Sequence, residues 1–261
     1  MKRSIKTFDG HKINYVYRQG INAKPDQMVL MLHGIFSNHT ENGRYDRLAN
    51  ALNNAGFNTL NFDFRGHGES NFSTQEFSIS GAINDLQAVI KTLQEDGYKY
   101  VQLIASSFSA CIAILANAIA QKNTIVSIAF LNPVVDLYNT VLLAKSENNN
   151  PYFNPAIINN IFLNGSAILE NGFVVSSQFF HELSFIKPYD FIQHLRIPTI
   201  VFHGTADEKV DFKISTTHFI KATNCKIVLI DEATHAFKDP DKEKIVFDGL
   251  VEWVLENSVN F

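Results

Sequence analysis

The feature that most constrains this chain is a series of short apolar runs, each bounded by turn residues. They are Met28–Leu32, Thr59–Phe62, Val101–Ala105, Ile125–Leu131, Pro198–Phe202 and Lys226–Ile230. They are rich in Val, Ile, Leu and Phe, and most do not alternate polar with apolar residues. A strand with one wet face alternates and a strand covered on both faces does not, so these runs predict a parallel sheet held between two layers.

Helical stretches separate the runs. Tyr45–Ala55 puts Leu48 and Leu52 on one face and stops at Gly56. Ser80–Glu95 lines up Ile83, Leu86, Ile90 and Leu93, with Ser80 as the expected N-cap. Ala110–Ala120 follows a strand directly, and Asp241–Glu256 is the last helical stretch. Ser4–Phe8 and Lys12–Tyr17 read as two strands joined at Asp9-Gly10. Alternation of this kind predicts the α/β class, an open, mostly parallel central sheet flanked by helices on both faces.

The rhythm stops between Pro133 and Arg196. Asn148-Asn149-Asn150-Pro151 is a polar breaker, and around it lie Tyr152, Phe153, Phe162, Phe173, Phe179 and Phe180. Long excursions inside compact domains are usually functional or disordered, and the aromatic content favours the first, so residues 133–196 are expected to form a cap or lid. The alternative is a satellite core packed only on itself. Residues 1–132 and 197–261 form the core in this division.

Composition narrows the function. With 261 residues, 46% of them hydrophobic and 18% charged, the chain can bury a sizeable core. A net charge of -4 and a pI near 6.1 argue against a nucleic-acid partner. Two cysteines exclude a disulfide framework and read as buried free thiols of a reducing compartment, without zinc-site spacing. After Met1-Lys2-Arg3 the chain alternates instead of running apolar, unlike a signal peptide. Ala110–Ala120 is about half the roughly 20 residues that span a bilayer, and Asn117 interrupts it. The expectation is a soluble, cytoplasmic protein with no stable membrane insertion; a homodimer is left open.

The chemistry concentrates at strand ends. In Val101-Gln-Leu-Ile-Ala-Ser-Ser-Phe-Ser-Ala110 a buried strand runs straight into a helix with Ser107 at the corner. Such a corner strains the serine and pushes its hydroxyl out, and it needs small residues two before and two after. Those positions hold Ala105 and Ser109, where glycine is usual. The plainer reading is a serine loop capping a helix through Ser106 or Ser107. Asp207 lies just past a later buried run in Val201-Phe-His-Gly-Thr-Ala-Asp207, and His235 lies just past the one after it in Ile230-Asp-Glu-Ala-Thr-His235. The order Ser107, Asp207, His235 suits a nucleophile, an orienting acid and a base, because a serine hydroxyl needs an adjacent imidazole and the imidazole needs a carboxylate. Asp136, Asp211 and Asp231 compete for the acid role, and His203 also lies near a strand end. Met28-Val-Leu-Met-Leu-His33-Gly34-Ile35-Phe36 supplies a loop that can aim a backbone N–H at an oxyanion; the candidates are the N–H groups of Ile35 and Phe108. Asn61–Ser70 is punctuated by glycine but lacks the Gly-Lys-Ser/Thr ending of a phosphate loop, and reads as a structural turn. No metal-ligand cluster and no Gly-x-Gly-x-x-Gly fingerprint occurs, so no metal and no cofactor is implied.

Leu32-His-Gly34, Asp63-Phe-Arg-Gly-His-Gly-Glu-Ser70, the Ser107 corner, His203-Gly-Thr-Ala-Asp207 and Thr234-His235 together resemble the α/β-hydrolase superfamily. The nearest likeness is its capped group of feruloyl (cinnamoyl) esterases, monoacylglycerol lipases and serine aminopeptidase-like hydrolases. Gly165–Ile192 is similar to the cap-to-core return of the feruloyl esterases. The resemblance implies a serine hydrolase that cleaves carboxylic esters of apolar or aromatic acyl groups, with a small-molecule ester or thioester as partner. The Ala-x-Ser-x-Ser corner resembles the acyl-transferase (thioesterase) of bacterial bioluminescence, which makes acyl-thioester hydrolysis or acyl transfer the second reading. A non-catalytic binding protein on a hydrolase scaffold is the third.

Overall fold

The computed structural model describes residues 2–119, 124–143 and 152–259. The strands are β1 (Lys2–Lys6), β2 (Lys12–Arg18), β3 (Gln27–Leu32), β4 (Asn58–Phe62), β5 (Tyr100–Ser106), β6 (Ile125–Leu131), β7 (Ser166–Ile168), β8 (Val174–Ser176), β9 (Thr199–Gly204) and β10 (Cys225–Ile230). The helices are α1 (Arg44–Asn54), α2 (Ile79–Glu95), α3 (Ser109–Ile119), α4 (Pro155–Asn164), α5 (Ser177–Phe185), α6 (Tyr189–Ile192), α7 (Phe212–Phe219) and α8 (Pro240–Glu256). Every apolar run read from the sequence lies on a strand of one sheet. Its order is β1-β2-β4-β3-β5-β6-β9-β10. β2 pairs antiparallel with β1 and β4, and the remaining pairs are parallel.

Successive residues of the central strands serve opposite layers. Val29 and Met31 of β3 pack with Tyr45, Leu48 and Leu52 of α1 and with Val246, Leu250 and Val254 of α8. Met28, Leu30 and Leu32 face the other way, toward Leu86 and Val89 of α2 and Ile112 of α3. Two buried faces explain why the runs do not alternate. The edge strand β10 is the exception, being covered only in part: Leu229 is 41% exposed.

Chain order reverses at β3, because the chain passes to β4 on one side and returns to β5 on the other. The carboxyl ends of β3 and β5 therefore lie side by side where helices leave in opposite directions, the place where open α/β sheets form ligand crevices.

Local readings shift in three places. β1 ends at Lys6, and Phe8 stands in the turn, 88% exposed, because Thr7 Oγ1 donates to Asp9 Oδ1 (2.5 Å) and Asp9 is held by Arg65 (2.8 Å). Ser78, not Ser80, caps α2 by accepting from Gly81 N–H at 3.0 Å; Ser80 Oγ donates instead to Glu182 of α5 at 2.6 Å. The buried stripe of α2 is Leu86, Val89 and Leu93, with Ile83 and Ile90 half-buried beside it. Cys111 is buried and Cys225 half-buried, both free.

Between β6 and β9 lie one π-helical turn (Tyr138–Leu142), α4, the antiparallel hairpin β7–β8, α5 and α6. Ala120 and the Asn148–Pro151 breaker fall outside the described residues. Phe173, beside the hairpin, sets its ring 5.0 Å from Phe36 and 5.4 Å from His67 of the sheet domain. Val174 N–H donates to Thr74 Oγ1 at 2.9 Å. These contacts fasten the excursion to the carboxyl edge of the sheet.

Candidate active site

Ser107 sits between β5 and α3 with φ +53°, the left-handed strain of a sharp corner. Its N–H donates to Leu131 O (2.8 Å) and its carbonyl accepts from Val134 N–H (3.0 Å), so the end of β6 and the loop after it clamp the corner from the side. Ser106 Oγ turns toward Arg44 and Glu41, whereas Ser107 Oγ turns toward His235; both hydroxyls are engaged away from the start of α3.

The loops after β9 and β10 are brought together by a close approach at Gly204. A Cβ there would lie 2.1 Å from the Ala233 carbonyl oxygen, so only glycine lets the two loops touch. Across that contact His235 Nδ1 lies 2.8 Å from Asp207 Oδ2, and His235 Nε2 lies 3.0 Å from Ser107 Oγ. An ionised carboxylate can only accept, so the Nδ1 proton donates to Asp207 and Nε2 is left to accept from the serine hydroxyl.

Asp207 is held on all sides. Oδ1 accepts from the N–H groups of Lys209 (2.8 Å) and Val210 (2.9 Å), and Oδ2 also lies 3.2 Å from His203 Nε2. Burial would raise its pKa, but the hydrogen bonds from His203 and His235 outweigh it and hold the carboxyl well below the usual carboxylate range. His203 is itself fixed, with Nδ1 2.7 Å from Ser215 Oγ and Nε2 3.0 Å from Val210 O. The competing acids serve elsewhere: Asp136 accepts from Asn139, Asp211 caps α7, and Asp231 accepts from Thr205.

The loop after β3 reaches the same point. A Cβ on Gly34 would meet Ser107 Cβ at 3.3 Å, and the N–H groups of Ile35 and Phe108 have no acceptor among the described residues. Asn132 was not singled out from the sequence. It holds φ +45° after β6, accepts from Gly204 N–H (2.9 Å) and donates to His235 O (2.6 Å). The signal was a polar residue wedged between a buried strand and Pro133, too common a pattern to mark it.

Ser107 and His235 open into a cavity of about 760 Å³, within the usual range for a small-molecule site. Phe36, Phe108, Tyr152, Phe153 and Phe179 form its aromatic wall. Among the described residues, no group of His, Cys, Asp and Glu could hold a metal ion, and no helix is long and apolar enough to cross a membrane.

No curated protein matches the sequence. Among solved structures, the esterase Est1E of Butyrivibrio proteoclasticus with ferulic acid bound superposes with a TM-score of 0.84 at 22% identity, over 98% of this chain and 98% of its own. An esterase of Exiguobacterium antarcticum gives 0.72 at 18% identity, over 98% and 100%. The monoacylglycerol lipase of Paleococcus ferrophilus gives 0.68 at 19%, over 94% and 99%. These likenesses establish the α/β-hydrolase fold. The family model described as serine aminopeptidase, S33 matches residues 23–153, from before β3 to beyond the π-helical turn. That span is just over half of the chain and contains the Ser107 corner, so the chain belongs to the serine aminopeptidase family of α/β hydrolases.

Proposed function

We propose that this protein is a serine ester hydrolase that works through an acyl-enzyme on Ser107. The observation that carries the reading is the unbroken hydrogen-bond line Asp207–His235–Ser107 opening into an aromatic cavity. His235 Nε2 takes the hydroxyl proton as Ser107 Oγ attacks the ester carbonyl, and Asp207 fixes the tautomer and stabilises the imidazolium. The N–H groups of Ile35 and Phe108 hold the oxyanion; a donor of this kind is worth about 10²–10³ in rate. His235 then passes its proton to the leaving alcohol. Water, deprotonated by His235, attacks the acyl-enzyme and releases the acid with Ser107 restored.

The aromatic wall suits an apolar or aromatic acyl group, and residues 133–196 act as the cap over it. The ferulic acid bound to Est1E supports an aromatic acyl group. A second reading, hydrolysis or transfer of acyl thioesters by the same acyl-enzyme, draws on the Ala105/Ser109 corner. A purely binding role accounts poorly for three residues held in contact at the strand ends.

Labelling with a fluorophosphonate and mapping the adduct tests the reading. The expected result is an adduct on Ser107, lost in Ser107→Ala together with turnover of p-nitrophenyl esters. Ester turnover that survives Ser107→Ala overturns it. A marked preference for acyl thioesters over matched oxygen esters selects the second reading.

A further inference from the structure

The turn between β3 and α1 is held in an unfavourable shape. Glu41, Asn42 and Gly43 take φ values of +48°, +57° and +78° in succession. Two adjoining non-glycine residues in the left-handed region need support from outside the turn. The side chains of Glu41 and Arg44 give that support and reach the start of the same loop and two other loops.

Glu41 Oε2 accepts from Gly34 N–H at 3.0 Å. Glu41 Oε1 accepts from Arg44 Nη2 at 2.9 Å and lies 3.1 Å from Ser106 Oγ. Arg44 Nη2 also donates to Ser106 Oγ at 2.8 Å, and Nη1 reaches the Ala236 carbonyl at 3.4 Å. Gly34 precedes Ile35, Ser106 precedes Ser107, and Ala236 follows His235. Three of the groups the mechanism requires, the Ile35 N–H, Ser107 and His235, are therefore each one residue from an atom that this pair grips. The pair is buried, with 8% and 10% of the two side chains exposed, and both residues line the cavity.

Stability alone explains the pair poorly. Buried ion pairs are commonly replaced by apolar residues without loss, and Arg44 Nε is buried without a hydrogen-bond partner. The charges also have a local logic. A lone carboxylate beside the oxyanion loop would repel the developing negative charge, and Arg44 neutralises it.

We infer that Glu41 and Arg44 are positioning residues that hold the Ile35 N–H, Ser107 Oγ and His235 in register. The inference rests on the acyl-enzyme reading. The pair touches no reacting atom, so its removal lowers kcat and leaves KM in place.

The test uses the full chain and its Glu41→Gln, Arg44→Lys and Ser106→Ala variants, each checked for wild-type circular dichroism. Turnover of a p-nitrophenyl ester and the rate of fluorophosphonate labelling are measured together. Glu41→Gln is expected to lose about 10²-fold in kcat, the scale of a 1 Å misplacement, with KM within about twofold and labelling slowed in parallel. Arg44→Lys keeps the charge and is expected to lose less of the rate than Glu41→Gln. Ser106→Ala removes one arm and leaves the ion pair whole, so it decides the matter even where the pair variants fail to fold; the expected loss is about tenfold in kcat. Folded variants that turn over and label at wild-type rates overturn the inference. A loss confined to KM also overturns it, by making the pair a substrate contact. Wild-type protein that never labels at Ser107 removes the acyl-enzyme reading, an outcome read without any variant of the pair.

Discussion

The Ser109 hydroxyl lies 2.8 Å from the Leu32 carbonyl oxygen, and so joins the first turn of α3 to the end of β3. It also lies 2.9 Å from the Ser106 carbonyl. Glycine is usual at this place because the two arms of the corner nearly touch. Here a fully buried side chain bridges them by hydrogen bonding instead of colliding. Ser109→Gly is expected to keep kcat within a few-fold and to cost about 1 kcal/mol, the worth of one hydrogen bond. Ser109→Val has no donor and adds a methyl, so it is expected to cost about 1–3 kcal/mol more and to misplace Ser107. Thermal melts read alongside kcat check both; a Val variant as active and stable as the Gly variant would remove the bridge as an explanation.

The left-handed backbone of Ser107 separates stability from activity. Ser107→Ala and Ser107→Gly both remove the nucleophile, and kcat on p-nitrophenyl esters is expected to fall by about 10⁴ or more. The two differ at φ +53°, where alanine is disfavoured and glycine is not. The glycine variant is expected to be about 1 kcal/mol more stable than the alanine variant. Denaturant melts of the two inactive proteins measure the difference, and equal midpoints would show that the corner stores no strain.

Asp207→Asn leaves the shape and removes the charge. His235 then loses the acceptor that fixes its tautomer, and kcat is expected to fall about 10⁴-fold. The amide also faces His203 Nε2 at 3.2 Å, so stability is expected to fall below that of the wild type as well. A melt and a kcat on one preparation check both parts, and an Asn variant with wild-type kcat would return the acid role to another residue.

The sheet was legible because burial on both faces writes itself as continuous apolar runs, and β3, β4, β5, β6, β9 and β10 all follow from it. Ser107, Asp207 and His235 were legible because each stands just past such a run, and the fold brings strand ends to one edge. Asn132, Glu41 and Arg44 were not, since their roles arise largely from contacts 62 to 192 residues away in the chain that no local pattern records. Ser78 and Ser80 show the same limit on a smaller scale. Either serine can cap α2, and Glu182, 102 residues on, occupies Ser80.

Acid should weaken the fold through His67. Burial, with the neighbouring His33 ring adding to it, lowers its pKa from 6.5 to about 3. The ring packs against Phe77 at 4.8 Å, and its Nε2 is buried without a partner. The unfolded chain takes up a proton near 6.5 and the folded protein does not until about 3, so the unfolded state binds more protons between those values. The contribution to stability is complete above about pH 6.5 and is lost as pH falls, at up to ~1.4 kcal/mol per unit. Asp207 and Asp63, held below the usual range, act only at lower pH. His67→Phe is expected to be less stable at pH 8, having lost the donor to Arg65 O, but to show a smaller drop between pH 7 and pH 4.5. Denaturant midpoints across that window decide it, and an unchanged slope would show that another group carries the acid sensitivity.

Tyr152 tests what the cavity is for. Its ring lies 5.3 Å from Phe36, whose ring in turn meets Phe173, so an aromatic acyl group lying against it would extend an existing stack. A ring contact of this kind is worth about 0.5–1.5 kcal/mol, or roughly 2–10-fold in affinity. The contact is made equally to substrate and to transition state, so its loss raises KM and spares kcat. Tyr152→Ala is expected to raise KM for an aryl-acyl ester by roughly that factor and to leave an acetyl ester nearly unaffected, because a two-carbon acyl group offers no ring to the stack. Steady-state kinetics on the matched pair of esters checks this. Equal losses for both would place Tyr152 in the support of the site, and the acyl group would then have to lie elsewhere in the cavity.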